Sequence, residues 1–214
     1  PVEGLRYAGG EREAIDTLCD TLQFRGLRAR LMDVAGVDGA DEPDQPAQAE
    51  VDVVTDGAVD AVVALEGDVA LEVAGRAGAD ADAWGLGVAT SSGAWGIDLT
   101  ELDAEDSTRL TAWLEGDAAR FVLHDAKAAA HALASRGVSL AEPAGDTQIG
   151  AFLTNPAGRS FDLESVAERV LGRSIGSGAT TGELDLGLGE DSRVDTARRA
   201  LAVRDLAAAL EHLL

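Results

Sequence analysis

The sequence predicts an α/β domain built on a mixed sheet, and three features of its order predict it. Short runs rich in Val, Ala and Leu come first, at 59–65, 69–74, 84–90 and 94–99. Helix and strand signals then alternate as far as residue 135, and helical stripes alone close the sequence. The runs at 69–74, 84–90 and 94–99 suit strands of a meander, because Gly67-Asp68 and Ser91-Ser92-Gly93 carry turn chemistry. Either Thr100 or Asp103 caps a helix reaching Leu114, Arg120–His124 reads as a strand, and 125–135 reads as an Ala-rich helix. A helix over about 146–154 stops at Asn155-Pro156, since proline cannot continue it. Asp162 fits the N-cap of the next helix, where Leu163, Val166, Ala167, Val170 and Leu171 form one apolar stripe. Residues 172–192 are rich in glycine without apolar periodicity and read as a mobile loop. A helix from about Arg193 to Leu214 ends the sequence.

The front of the sequence has a different texture. Residues 11–33 read as helix, with Ile15, Leu18, Cys19 and Leu22 at helical spacing. The pattern then shifts to Phe24, Leu27 and Leu31 across Gly26, which predicts two short helices. From Gly36 to Glu50 the chain is polar, contains Pro43 and Pro46, and has no periodicity. The expected organisation is a helical appendage over 1–35, a linker over 36–50 and the main domain over 51–214.

A chain of 214 residues with 46% hydrophobic and 26% charged residues can bury a sizeable core. No apolar run is long enough to span a bilayer, and no secretory pattern opens the sequence. The lone cysteine, Cys19, excludes an internal disulfide. A monomer in the cytoplasm is expected. The formal net charge of −22 opposes DNA binding by the bare domain, because such affinity comes from neutralised phosphates. Arg25, Arg28 and Arg30 form only a short basic stretch, and Lys127 is the sole lysine, a usage associated with GC-rich genomes.

Familiar catalytic motifs are absent. Gly85-Leu86-Gly87 lacks the third glycine of a dinucleotide fingerprint and sits in a strand pattern. The glycines of 176–189 do not end in Gly-Lys-Ser/Thr. His124, His131 and His212 have no metal-ligand spacing, and no Gly-x-Ser-x-Gly elbow occurs.

Several segments in order resemble a known family. Asp146-Thr147-Gln148-Ile149-Gly150-Ala151-Phe152-Leu153-Thr154-Asn155-Pro156, followed by Ser160 to Gly172 with its Leu163-Glu164-Ser165-Val166-Ala167-Glu168-Arg169-Val170-Leu171, is similar to the 3′–5′ exonuclease domain of bacterial DNA polymerase I. There, a helix ending in Asn-Pro or Asp-Pro precedes a Leu-x-x-Leu-Ala-Glu-Arg-x-Leu helix. Val69 to Ala74 resembles its first strand, Trp84 to Ala89 its second, and Leu123 to Leu133 the segment after its central strand. Leu22 to Leu31 resembles the end of the connector from the 5′-nuclease domain. The resemblance implies a ribonuclease H-like fold over 51–214 and a connector over 1–35.

Active members of that family hydrolyse phosphodiesters with two divalent metals about 3.5–4 Å apart. Such hard cations need several oxygen ligands. The family draws them from Asp-x-Glu on the first strand, an Asp on the central helix, and Tyr-x-x-x-Asp on the last helix, whose Tyr orients water. Carried over, these positions fall on Glu72 and Ala74, on Ala129, and on Ala200 and Arg204. One carboxylate remains, and a cation stands where an acid belongs. The resemblance therefore implies an inactive site with no metal or cofactor. Either Glu72 and Arg204 pair across the vacated metal position, or both are ordinary exposed residues.

The function so implied is structural: a domain joining the 5′-nuclease and polymerase domains of one parent chain, which meets DNA only through that parent. Two other readings compete. One is an active Mg²⁺- or Mn²⁺-dependent exonuclease whose ligands are displaced to acids such as Asp80, Asp82, Asp125 or Asp205. The other is an acidic protein-binding module.

Overall fold

The structure, a computed structural model, describes residues 11–22, Leu31, Ala35, 53–175 and 192–214. The chain divides into two compact units, Pro1–Ala49 and Glu50–Leu214. In the first, helix α1 spans Arg12–Leu22. Among its described side chains Cys19 is buried, Ile15 and Asp16 are half-buried, and Leu18 is exposed. The expected second helix, the linker over 36–50 and most of the loop over 172–192 lie outside the described residues.

The second unit is an α/β domain. Its strands are β1 (Val53–Val54), β2 (Gly67–Arg76), β3 (Asp82–Ala89), β4 (Ala94–Asp98), β5 (Ala119–Leu123) and β6 (Gly145–Asp146). They form one mixed sheet in the order β1-β4-β3-β2-β5-β6. The meander β2-β3-β4 is antiparallel, while β1 on β4, β5 on β2 and β6 on β5 are parallel. Its helices are α2 (Ala58–Val62), α3 (Ala104–Glu115), α4 (Ala126–Ala134), α5 (Thr147–Thr154), α6 (Leu163–Leu171) and α7 (Ser192–Glu211). The apolar run at 59–65 thus opens as a helix.

Strand alternation divides the core into two layers. Val69 and Leu71 of β2 pack with Val62 of α2, Leu114 of α3 and Leu133 of α4. Ala70, on the opposite face, packs with Ala151 of α5, Val166 of α6 and Val203 of α7. Helices α2 to α4 therefore cover one face, and α5 to α7 the other.

Aspartates start most of these helices, because a side-chain carboxylate accepts N–H groups that the first turn leaves unpaired. Asp103, not Thr100, caps α3 by accepting from Asp106 N at 2.8 Å. Asp162 caps α6 through Ser165 N at 2.8 Å. Asp125 caps α4 through Ala128 N at 3.1 Å, from the left-handed region at φ 56°. Helix α6 ends on Gly172 at φ 70°, where glycine has no Cβ to clash.

Candidate functional site, a cleft between strand β2 and helices α4, α6 and α7

In the antiparallel register, Glu72 lies opposite Gly87 and Ala74 opposite Gly85. Directly opposed residues share a face, so Glu72 and Ala74 point the same way as these glycines. That face receives α7. A Cβ on Gly87 would stand 2.0 Å from the Thr196 carbonyl oxygen, and one on Gly96 2.0 Å from the Arg193 oxygen. Glycine at these two positions lets the α7 backbone lie directly on the sheet. The turn of α7 after Thr196 is thereby set over Glu72.

Arg199 is the residue that this contact delivers. Its Nε donates to Glu72 Oε1 at 2.9 Å, and its Nη1 donates to Glu164 of α6. The guanidinium bridges strand and helix, with side-chain exposures of 12% for Glu72 and 27% for Arg199. Burial pushes the Glu72 carboxyl up, Arg199 opposes that rise, and the Glu164 and Asp195 charges add to it. Burial acts to lower the Arg199 pKa, but the Glu72 and Glu164 carboxylates outweigh it and hold the group cationic.

The same residues line a cleft of about 270 Å³, whose other wall includes Ala129, His124, Asp125 and Gln148. His124 is fixed at both ring nitrogens. Nε2 lies 2.8 Å from the Phe161 carbonyl, which can only accept, so Nε2 carries a proton and donates. Nδ1 lies 2.8 Å from Thr147 Oγ1, and on the neutral ring it accepts from that hydroxyl. Burial pushes the His124 pKa down, against the Phe161 hydrogen bond.

One carboxylate organises this wall. Asp146 Oδ1 accepts from Gln148 N at 2.8 Å and Ile149 N at 3.3 Å, capping α5. Its two oxygens also accept from Asp125 N at 3.3 Å and Ala126 N at 2.9 Å, at the start of α4. Two helix N-termini converge on a single side chain. Its oxygens are directed at backbone amides rather than at the cleft.

The positions carried over from the resemblance separate into two groups. Glu72 and Ala129 line the cleft, and Ala74 shares the face of Glu72. Ala200 is fully buried in the cluster with Val166, Val203 and Leu206. Arg204 lies elsewhere: its Nη1 donates to the Thr90 carbonyl at 2.8 Å, and its Nε and Nη2 donate to Asp205 at 2.9 and 2.7 Å. The expected Glu72–Arg204 pair is therefore corrected to Glu72–Arg199. Five residues turn a helix by about 140° beyond a full revolution, so 199 and 204 cannot face the same strand residue. Arg199 was missed because sequence matching alone did not fix the register of α7. The close-approach glycines, Gly87 and Gly96, are the signal that bears on it.

A pair of divalent cations does not fit these donors. Glu72 and Glu164 are engaged by a guanidinium, and Ala74 and Ala129 offer no oxygen. Among the described residues, no group of three or more His, Cys, Asp or Glu side chains is placed to hold a metal ion. The alternative acids are committed or remote. Asp82 pairs with Arg136 at 3.2 Å, Asp205 pairs with Arg173 and Arg204, and Asp80 is exposed in the β2–β3 turn. Asp125 does line the cleft, but as the cap of α4.

A mixed sheet of this order, with a strand carboxylate facing a long final helix across a cleft, defines the class of ribonuclease H-like, exonuclease-type domains. The family profile for the DNA polymerase I ribonuclease H-like domain matches residues 69–177. The chain belongs to this family, the 3′–5′ exonuclease-like domain of DNA polymerase I. It is 36% identical over 220 residues to DNA polymerase I of Mycobacterium tuberculosis strain H37Rv, matching 97% of this chain and 24% of that protein. The chain thus spans about a quarter of the length of that relative. The solved POL domain of Pol1 from M. smegmatis, in complex with DNA primer-template and dNTP, has a TM-score of 0.62 at 33% identity, covering 74% of this chain and 26% of that one. Escherichia coli RNase D shares the fold alone, with a TM-score of 0.52 at 18% identity over 76% of this chain and 45% of that one.

Proposed function

We propose that this chain is a non-hydrolytic exonuclease-like domain. It would serve as a structural unit between the 5′-nuclease and polymerase portions of a DNA polymerase I that acts in replication and repair. The observation that carries this reading is the Glu72–Arg199–Glu164 bridge. Hydrolysis in this fold class requires carboxylate oxygens free to clamp metal ions on both sides of the scissile phosphate. Here the strand carboxylate is neutralised from within, and alanine stands at the other carried-over strand and central-helix positions. A net charge of −22 gives a single-stranded 3′ end little reason to enter the cleft. The domain would contact DNA only as part of its parent, a cytoplasmic polymerase that is monomeric and holds no metal at this site.

Incubation of the purified chain with Mg²⁺ or Mn²⁺ and a 5′-labelled single-stranded oligonucleotide tests the proposal. The oligonucleotide should keep its full length, and Glu72→Ala should change nothing. Progressive 3′ shortening that disappears in Glu72→Ala would overturn it.

A further inference from the structure

Between helices α5 and α6, residues 155–162 form neither helix nor strand. Three side chains from flanking elements fasten the end of this segment. His124 Nε2 donates to the Phe161 carbonyl at 2.8 Å, and Gln148 Nε2 donates to the same oxygen at 3.3 Å. Arg169 Nη1 donates to the Ser160 carbonyl at 3.1 Å. The Phe161 ring sits edge-on to Phe152, with centroids 5.5 Å apart, and its centroid lies 5.5 Å from the Arg169 guanidinium. Of these fastenings only one changes its charge near neutrality: glutamine is uncharged, arginine stays cationic, and histidine titrates.

Proton uptake by the ring has a defined cost. It turns Nδ1 from acceptor to donor, so the Thr147 oxygen must accept at 2.8 Å and direct its own proton to the Leu123 carbonyl, 3.3 Å away. The hydrogen bonds can follow that change, but the new charge needs compensation. Around the ring stand Glu72 and Arg76 of β2, Asp125 at the α4 cap, Asp146 at the α5 cap, Asp162 and Glu164 at the start of α6, and Arg199 of α7. Each of the carboxylates already accepts from another donor: Arg199 for Glu72 and Glu164, and backbone amides for Asp125, Asp146 and Asp162. Burial pushes the His124 pKa down; the Phe161 bond and the Asp146 and Asp125 charges oppose this, and Arg199 adds to it. A buried cation without a free counter-charge is relieved by admitting water to the ring.

We infer that His124 is a proton-operated latch on this wall of the cleft: neutral, it holds residues 155–162 against the end of β5 and the start of α5, and on protonation it lets that segment open to water. The sign follows from the two states. A histidine in the opened segment titrates near the ordinary 6.5 of an imidazole, whereas burial keeps the closed one neutral below that value. The latch is therefore fully closed above about pH 6.5 and loosens as the pH falls below it, because the open form binds more protons. It acts whether or not the cleft hydrolyses a nucleic acid.

Hydrogen–deuterium exchange of the whole chain tests the latch, with the unaltered protein and His124→Gln compared at the same pH so that intrinsic exchange rates cancel. Glutamine can still donate to the Phe161 carbonyl but does not titrate. The exchange rate over 155–162 in the unaltered chain, divided by that in His124→Gln, should rise severalfold between about pH 7.5 and about pH 5.5. Its ceiling is about tenfold, set by one pH unit below the ordinary imidazole value. His131→Gln should show the same rise as the unaltered chain. A flat ratio, or a rise that His131→Gln abolishes, would overturn the latch. Nuclear magnetic resonance of the unaltered chain gives a second reading that does not depend on the folding of His124→Gln. The His124 ring and the Phe161 amide should titrate with one shared midpoint below 6.5. Separate midpoints, or a Phe161 amide that follows only the carboxylates, would refute the coupling between ring and segment.

Discussion

Arg199 takes the place that the resemblance suggested for Arg204, and the difference is measurable. Removing one partner of a largely buried ion pair strands the other, which costs more than the pair itself contributes. Because Arg199 is partly exposed and Glu164 shares it, the coupling between Glu72 and Arg199 should be about 1–3 kcal/mol in a double-mutant cycle of alanine substitutions. The cycle between Glu72 and Arg204 should give coupling within about 0.5 kcal/mol of zero. Denaturant unfolding of the six proteins reads both values. Equal couplings would mean that the two arginines share the carboxylate. The resemblance identified Glu72 as the one carried-over acid, because the family's first-strand Asp-x-Glu falls on Glu72 and Ala74. It did not identify the partner, since both arginines lie in one helical run and only the contact of Gly87 with Thr196 decides between them.

At the level of elements, Asp146 joins α4 and α5 more tightly than either helix's own sequence requires. A lost cap costs about 0.5–2 kcal/mol, and this carboxylate serves two N-termini. Asp146→Ala should therefore destabilise the chain by about 2–4 kcal/mol, read as a shifted midpoint in urea. Asp103→Ala, which removes a single exposed cap, should cost about 1 kcal/mol. Equal losses would refute the double cap. The α5 cap is legible in the sequence as a helix start near 146. The bond to α4 is not, because it spans 20 residues and depends on β6 pairing beside β5. The same contrast separates the strands. The meander at 69–98 was readable from its turns, whereas the run at 59–65 holds no local signal that distinguishes a buried helix from a strand.

For the molecule as a whole, the sheet order and the two helical layers have the architecture of an exonuclease-like domain, and its central strand carboxylate is paired with a guanidinium. The resemblance was legible because core stripes such as Leu163, Val166 and Ala167 are set by packing against α7 and the sheet, which does not depend on catalysis. The proposed loss of activity rests on Ala74 and Ala129 for the opposite reason: an alanine side chain offers no oxygen to a metal ion. What the fold adds is the guanidinium between Glu72 and Glu164. An internal cation there should make external ones unnecessary. Uptake of Mn²⁺ by the chain, followed through the loss of the free-ion paramagnetic resonance signal, tests this most directly. The titrations of the unaltered chain and of Glu72→Ala should superimpose, with only weak binding spread over surface acids. Saturable uptake of two ions per chain that is lost in Glu72→Ala would contradict it.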